Sequence, residues 1–135
     1  MQDLELAKLE LRQKALSLVV TKGGKTIFET SLPGVKGFIQ CINECGKELN
    51  EASVADRVVG RPIALLCVYS GVVHVFAALI SMGAMKVLDN ASIPFQFENA
   101  VPRILDSSRI DLCPMEKLVQ NIDSPSEAWE ILKSH

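Results

Sequence analysis

The sequence predicts an α/β fold, a three-layer α/β/α sandwich around one mixed β-sheet. Three observations carry that expectation. Two β-rich runs flank a Gly-Gly pair early in the chain, which makes a hairpin. Helical and strand-like periodicities then interleave to the end of the chain. Apolar residues make up 48% of the 135 positions, enough for one sizeable core, and no linker or low-complexity stretch divides them. Residues 1–135 are therefore read as a single domain.

The elements follow in order. Residues 3–14 carry Leu4, Ala7 and Leu11 on one helical stripe, with Glu10 and Lys14 paired at i,i+4. LSLVVT and TIFET then flank Lys22-Gly23-Gly24-Lys25 as the two arms of the hairpin. Ser31-Leu32-Pro33-Gly34 is a turn. Val35, Phe38, Ile42, Cys45 and Leu49 keep helical spacing, so a second helix is expected to run to about Leu49. In SVADRVVGRPIALLCVYSG, Pro62 either occupies the first turn of a helix or kinks one that already runs through ADRVVG. Either way the apolar run stops at Gly71. A buried strand is expected at about 72–79, and a helix at about 81–90 begins with Ser81 as N-cap. Ile93, Phe95 and Phe97 alternate with Pro94, Gln96 and Glu98, the pattern of a strand with one wet face, and Pro94 marks its start or an edge. Two more helix starts share one grammar: Ser124-Pro125-Ser126-Glu127 reads as a capping box, and Cys113-Pro114-Met115-Glu116 repeats it with Cys in place of Ser.

Composition excludes several functions. Net charge is −2, with scattered Lys and Arg, one Trp and one Tyr, so nucleic-acid binding has no electrostatic support. Cys41, Cys45, Cys67 and Cys113 include no C-x-x-C pair. Together with a charged N-terminus that does not resemble a secretory signal, free thiols in the cytoplasm are expected. Cys41 and Cys45 lie i,i+4, a spacing a metal can use, but small core residues are the plainer reading. From Pro62 to Met85 there is no formal charge, a length that spans a bilayer. Ser70-Gly71 interrupts that run and Val72–Phe76 is β-branched and aromatic, so a buried helix, a turn and a buried strand are expected, and no membrane partner.

The order helix, hairpin, helix, motif-bearing helix, strand, helix, strand resembles the cytidine deaminase-like fold. In that family the second core helix begins with Cys-Ala-Glu-Arg or His-Ala-Glu. After one strand, the next helix begins with Pro-Cys-Gly-Ala-Cys or a close variant. Three of these side chains bind zinc and the Glu moves protons. Val54-Ala55-Asp56-Arg57 and Ser81-Met82-Gly83-Ala84-Met85 are matched to those places. The resemblance then puts Val54, Met82 and Met85 at the ligand positions and Asp56 at the Glu position. Valine cannot ligate and thioethers suit zinc poorly, so no metal or other cofactor is expected. More closely, Ala55-Asp56-Arg57-Val58-Val59-Gly60-Arg61 and Leu112-Cys113-Pro114-Met115-Glu116-Lys117 resemble a family of uncharacterised bacterial and archaeal proteins with this fold.

Cys113 is the leading candidate for chemistry. A helix N-terminus stabilises a thiolate, Lys117 one turn on supports it and Glu116 opposes it; the alternative is a small side chain plugging a gap between Leu112 and Met115. Asp56, as a base, joins it in the catalytic reading; the alternative is an N-cap or an ion-pair partner. Arg57 and Arg61 are candidates to clamp a carboxylate or phosphate, with Ser81 and Lys117 near the same edge. His74 with Cys113 and Asp56 is a further metal candidate. The expected partner is an unidentified small anionic or nucleotide-like molecule. The alternative is a non-catalytic module that forms homo-oligomers, with Val54, Met82 and Met85 filling a vestigial metal cavity.

Overall fold

The computed structural model describes residues 2–109 and 111–135. Helix α1 (Gln2–Gln13) leads into the hairpin of β1 (Leu18–Lys22) and β2 (Lys25–Thr30). Gly23 and Gly24 adopt φ of 62° and 81°, the left-handed pair a tight two-residue turn requires. The Asp3 carboxylate accepts hydrogen bonds from both glycine N–H groups, at 3.1 and 2.7 Å, so the first turn of α1 pins the hairpin tip.

Helix α2 (Gly34–Cys45) stops at Gly46, φ 53°, and a 3-10 turn (Gly46–Leu49) replaces the last turn expected from periodicity. Strand β3 (Ser53–Val59) then enters the sheet, and helix α3 (Arg61–Ser70) follows with Pro62 in its first turn. The helix through ADRVVG does not form. Val54, Val58 and Val59 favour the pleated backbone, and Gly60 separates strand from helix. Gly71, left-handed at φ 80°, ends α3. Strand β4 (His74–Ser81), helix α4 (Met82–Asn90) and strand β5 (Phe95–Val101) complete the alternation. The tail holds α5 (Pro114–Leu118) and α6 (Pro125–Leu132). The uncharged run from Pro62 to Met85 is thus α3, a turn, β4 and the start of α4; among the described residues no helix is long and apolar enough to cross a membrane.

The strands form one mixed sheet in the order β2-β1-β3-β4-β5. β1 pairs antiparallel with β2 and β3, whereas β3–β4 and β4–β5 are parallel. One face packs on α1: Leu4, Ala7 and Leu11 meet Val19, Ala55 and Phe76, with Leu16 at the margin. Each leucine so buried contributes roughly 1.5–3 kcal/mol. Lys8 and Arg12 lie over the Phe76 ring, 5.1 and 5.4 Å from its centroid. The other face carries the larger core, where α2, α3 and α4 cover Val20, Val54, Val75 and Ala77, and α6 packs on α3. Because β3, β4 and β5 run parallel, their carboxyl ends lie along one edge, and Arg103, Ile104, Leu105 and Cys113 lie against it.

Candidate functional site

At that edge the N-termini of α2 and α3 face one small cavity of about 130 Å3. Gly34 and Val35 come from the start of α2, and Gly60, Pro62 and Ile63 from the start of α3. The tail supplies Ile104, Cys113, Met115 and Glu116, and Val58 ends the β3 wall. Neither N-cap residue, Pro33 nor Gly60, gives its helix a side-chain cap. The first turn of α3 is instead met by Glu116: the Arg61 N–H donates to Glu116 Oε1 at 3.4 Å. Gly60 makes this possible, because a Cβ there would overlap the Glu116 carboxylate and press on Ile104. Burial pushes the Glu116 carboxyl up to about 7, against the backbone N–H and the charge of Arg61, which favour the anion. The capping box predicted for Cys113–Glu116 is therefore not made, since Glu116 turns towards α3.

Cys113 lines the cavity as a half-buried free thiol. It is the N-cap of α5 but makes no side-chain cap bond, and α5 has only five residues, so the dipole argument from sequence has little helix behind it. The Cys113 N–H donates to the Ile104 carbonyl at 3.0 Å, and its carbonyl accepts from the Lys117 N–H at 3.1 Å.

The other sequence candidates are held elsewhere. Asp56 is buried in β3, 4% exposed, and lines no cavity with Cys113. Burial pushes its carboxyl up to about 7, opposed by hydrogen bonds from the Val58 and Arg57 N–H groups, and its charge disfavours the buried Cys67 thiolate nearby. Arg57 Nε donates to the Leu16 carbonyl at 2.6 Å. Arg61 ties down the tail: Nε donates to Val119 O at 2.9 Å, and Nη2 bonds to Ile122 O and pairs with Asp123 at 2.9 Å. Ser81 is the predicted N-cap of α4, its Oγ accepting from Ala84 N at 3.0 Å. Lys117 pairs with Asp111 at 2.6 Å.

The motif placement also changes. Val54-Ala55-Asp56-Arg57 lies within a strand, not at a helix start. The sequence of second helix, one strand, next helix is α2, β3, α3, so the places that carry zinc ligands in deaminases correspond to the starts of α2 and α3. Gly34, Val35 and Lys36 stand at one and Gly60, Arg61, Pro62 and Ile63 at the other. These residues do not fit zinc, which needs three or four thiolate, imidazole or carboxylate ligands. Among the described residues, no three His, Cys, Asp or Glu side chains come together to hold a metal. His74 starts β4 opposite Ser53, at the far end of β3 from Gly60 and the cavity. Met82 is 60% exposed, so it fills no vestigial metal cavity. Gly60 and Glu116 are the features of this cavity hardest to see in the sequence. In the stretch Leu112–Lys117 the signals for Glu116 are local ones, a helix cap and a charge opposing a Cys113 thiolate, and neither points to α3.

The sheet order and the crossovers define an α/β protein of cytidine deaminase-like fold, and similarity to solved structures agrees. Two crystal forms of Acinetobacter baumannii RibD, which has that fold, superpose with TM-scores of 0.55 and 0.51 at 16% and 18% identity. Each match covers 72% of this chain but only 35% and 33% of the RibD chain. A DUF1893 family protein from Thermotoga maritima, TM1506, matches far more fully: 28% identity, a TM-score of 0.89, and coverage of 99% of this chain and 90% of that one. Residues 6–135 match the domain of unknown function DUF1893, and the chain belongs to that family. No curated protein sequence matches it.

Proposed function

We propose that this DUF1893 protein is a zinc-free member of the deaminase-like fold that binds a small anionic or nucleotide-like molecule in the cavity between α2 and α3. One observation carries the reading. A free thiol, Cys113, and a carboxyl raised to about 7, Glu116, lie on the wall of an otherwise apolar cavity at the carboxyl ends of parallel strands. Open α/β sheets bind ligands at that edge, and carboxyls tuned towards neutrality concentrate at functional sites. At about 130 Å3 the cavity is well below the roughly 300–1,000 Å3 of a whole small-molecule site, so it suits a single ring or a comparably small head group. The uncapped first turn of α2 favours a partial negative charge on that head. Glu116 exchanges a proton with it, and Cys113 is the nucleophile if the ligand is a substrate. Free thiols support a reducing, cytoplasmic setting.

The test is alkylation of the native protein with iodoacetamide at pH 8, read for each cysteine by peptide mass spectrometry. Cys41 and Cys67 are buried controls. Cys113 is expected to react many-fold faster than either, and pyrimidine or imidazole fragments are expected to slow it selectively. A Cys113 as inert as Cys41 would mean a closed, structural plug and would sink the reading.

A second reading, a self-associating module, is favoured by β5. It is one of the two sheet edges, with Phe97 45% exposed on it and Met82 60% exposed on α4. Sedimentation at micromolar concentration tests it, with Phe97→Lys expected to shift the protein to monomer. A monomeric parent protein would remove this reading.

A further inference from the structure

A second, larger cavity of about 410 Å3 adjoins the first. The two share Val58 and Ile104 as a common wall. Its floor is Val58, Leu79 and Val101, near the carboxyl ends of β3, β4 and β5, and its rim carries Arg103, Asp106 and Arg109. Leu105 and Leu112 form an antiparallel bridge, and Asp106 N donates to Asp111 O at 2.8 Å. The Asp106 carboxylate accepts from the Ser108 N–H at 3.0 Å. The bond from Cys113 N to Ile104 O joins the base of this loop to the thiol wall, so the two compartments meet back to back.

The rim is asymmetric in charge. Among the described residues, neither Arg103 nor Arg109 forms an ion pair; Asp106 is engaged by its own loop, and Asp111 pairs with Lys117 and feels the charge of Arg103 only as a weaker, longer-range contribution. Arginines lining an apolar cavity are suited to hold an oxyanion, because each guanidinium presents a planar fork that matches phosphate or carboxylate. Of the arginines that sequence spacing pointed to, Arg57 donates through Nε to the Leu16 carbonyl, and Arg61 is tied to the Val119 and Ile122 carbonyls and to Asp123. With the outer compartment included, the site reaches the volume range of small-molecule pockets, which the inner cavity alone does not.

We infer that the outer compartment is an oxyanion site: Arg103 and Arg109 hold the phosphate or carboxylate of a ligand whose ring or other small head enters the cavity beside Cys113 and Glu116. This deepens the proposed function and rests on it for the identity of the head group. The anion site itself is testable alone. Inorganic phosphate and, separately, acetate are titrated into the 15N-labelled protein. The expected shifts lie at Leu79, Val101, Arg103, Ile104 and Arg109 for at least one anion, and which anion binds distinguishes a phosphate from a carboxylate ligand. The Arg103→Gln/Arg109→Gln double variant is expected to weaken that binding at least tenfold. A Lys22→Gln/Lys25→Gln variant at the hairpin tip, with the same change in net charge, is expected to leave it unchanged. Absence of shifts there with both anions, or equal loss in both double variants, overturns the oxyanion site. Failure of the inner reading is seen separately, as a Cys113 that no neutral pyrimidine or imidazole fragment protects in either variant.

Discussion

Replacing Glu116 with Gln tests the electrostatics of the site with a nearly isosteric change. The carboxyl moves from an ordinary value of 4.5 to about 7, chiefly because the cavity removes water from it. A raised acid is stabilised in its neutral form, so its contribution to stability is fully present below pH 4.5 and is lost as pH rises through about 7. At about 1.36 kcal/mol per pKa unit, trimmed for solvent screening at the cavity mouth, the loss is roughly 1–3 kcal/mol. Glutamine mimics the neutral acid and loses nothing over that window. Glu116→Gln should therefore match the parent protein near pH 5 and exceed it at pH 8. For a chain of this length, roughly 4 °C per kcal/mol puts the gain at about 4–12 °C. Calorimetry of both proteins from pH 4.5 to 8.5 measures it. Superimposable pH profiles, or a variant less stable than the parent at pH 8, would refute the burial argument. The buried Asp56 titrates in the same window in both proteins, so it cancels from the difference.

Asp56→Asn should remove its own loss of stability between about pH 4 and 7, by the same sign argument; urea unfolding at pH 5 and pH 8 reads the difference, expected to be roughly 1–3 kcal/mol in favour of the variant at the higher pH. Gly60→Ala should destabilise by about 1–3 kcal/mol, because its Cβ displaces the Glu116 carboxylate, and Glu116→Ala in the same chain should recover part of that in thermal melts. Arg61→Ala removes the donors that bond Val119 O and Ile122 O and the pair with Asp123, so a cost of about 2–4 kcal/mol and faster amide exchange in residues 119–135 are expected. Unchanged protection of α6 in that variant would show that the tail does not depend on Arg61.

The layers were legible because periodicity reports burial directly. Leu4, Ala7 and Leu11 face β1, β3 and β4 as their spacing required, and the Gly-Gly hairpin formed where it was read. The helix starts at Ser81 and Ser124 followed from capping chemistry that needs only neighbouring residues. The site was less legible because its parts are distant in sequence. Glu116 meets Arg61 across 55 positions, and nothing local distinguishes a carboxylate that caps its own helix from one that reaches another. The motif register slipped for a related reason. Val54-Ala55-Asp56-Arg57 has the look of a helix start, but its β-branched neighbours and its place between β1 and β4 make it a central strand. The arginines went the same way: Arg57 and Arg61 stood out by clustering, yet Arg103 and Arg109 are the two that reach the cavity rim.

The most direct test of the ligand site is a titration of the 15N-labelled protein with a panel of small heterocyclic fragments, followed by amide shifts. The account predicts that fragments which bind will perturb Gly34, Val35, Gly60, Ile63, Cys113 and Glu116 together, on both helix starts and the tail at once. Shifts confined to the groove of Leu65, Lys86 and Asn90, or no shifts at all, would contradict it.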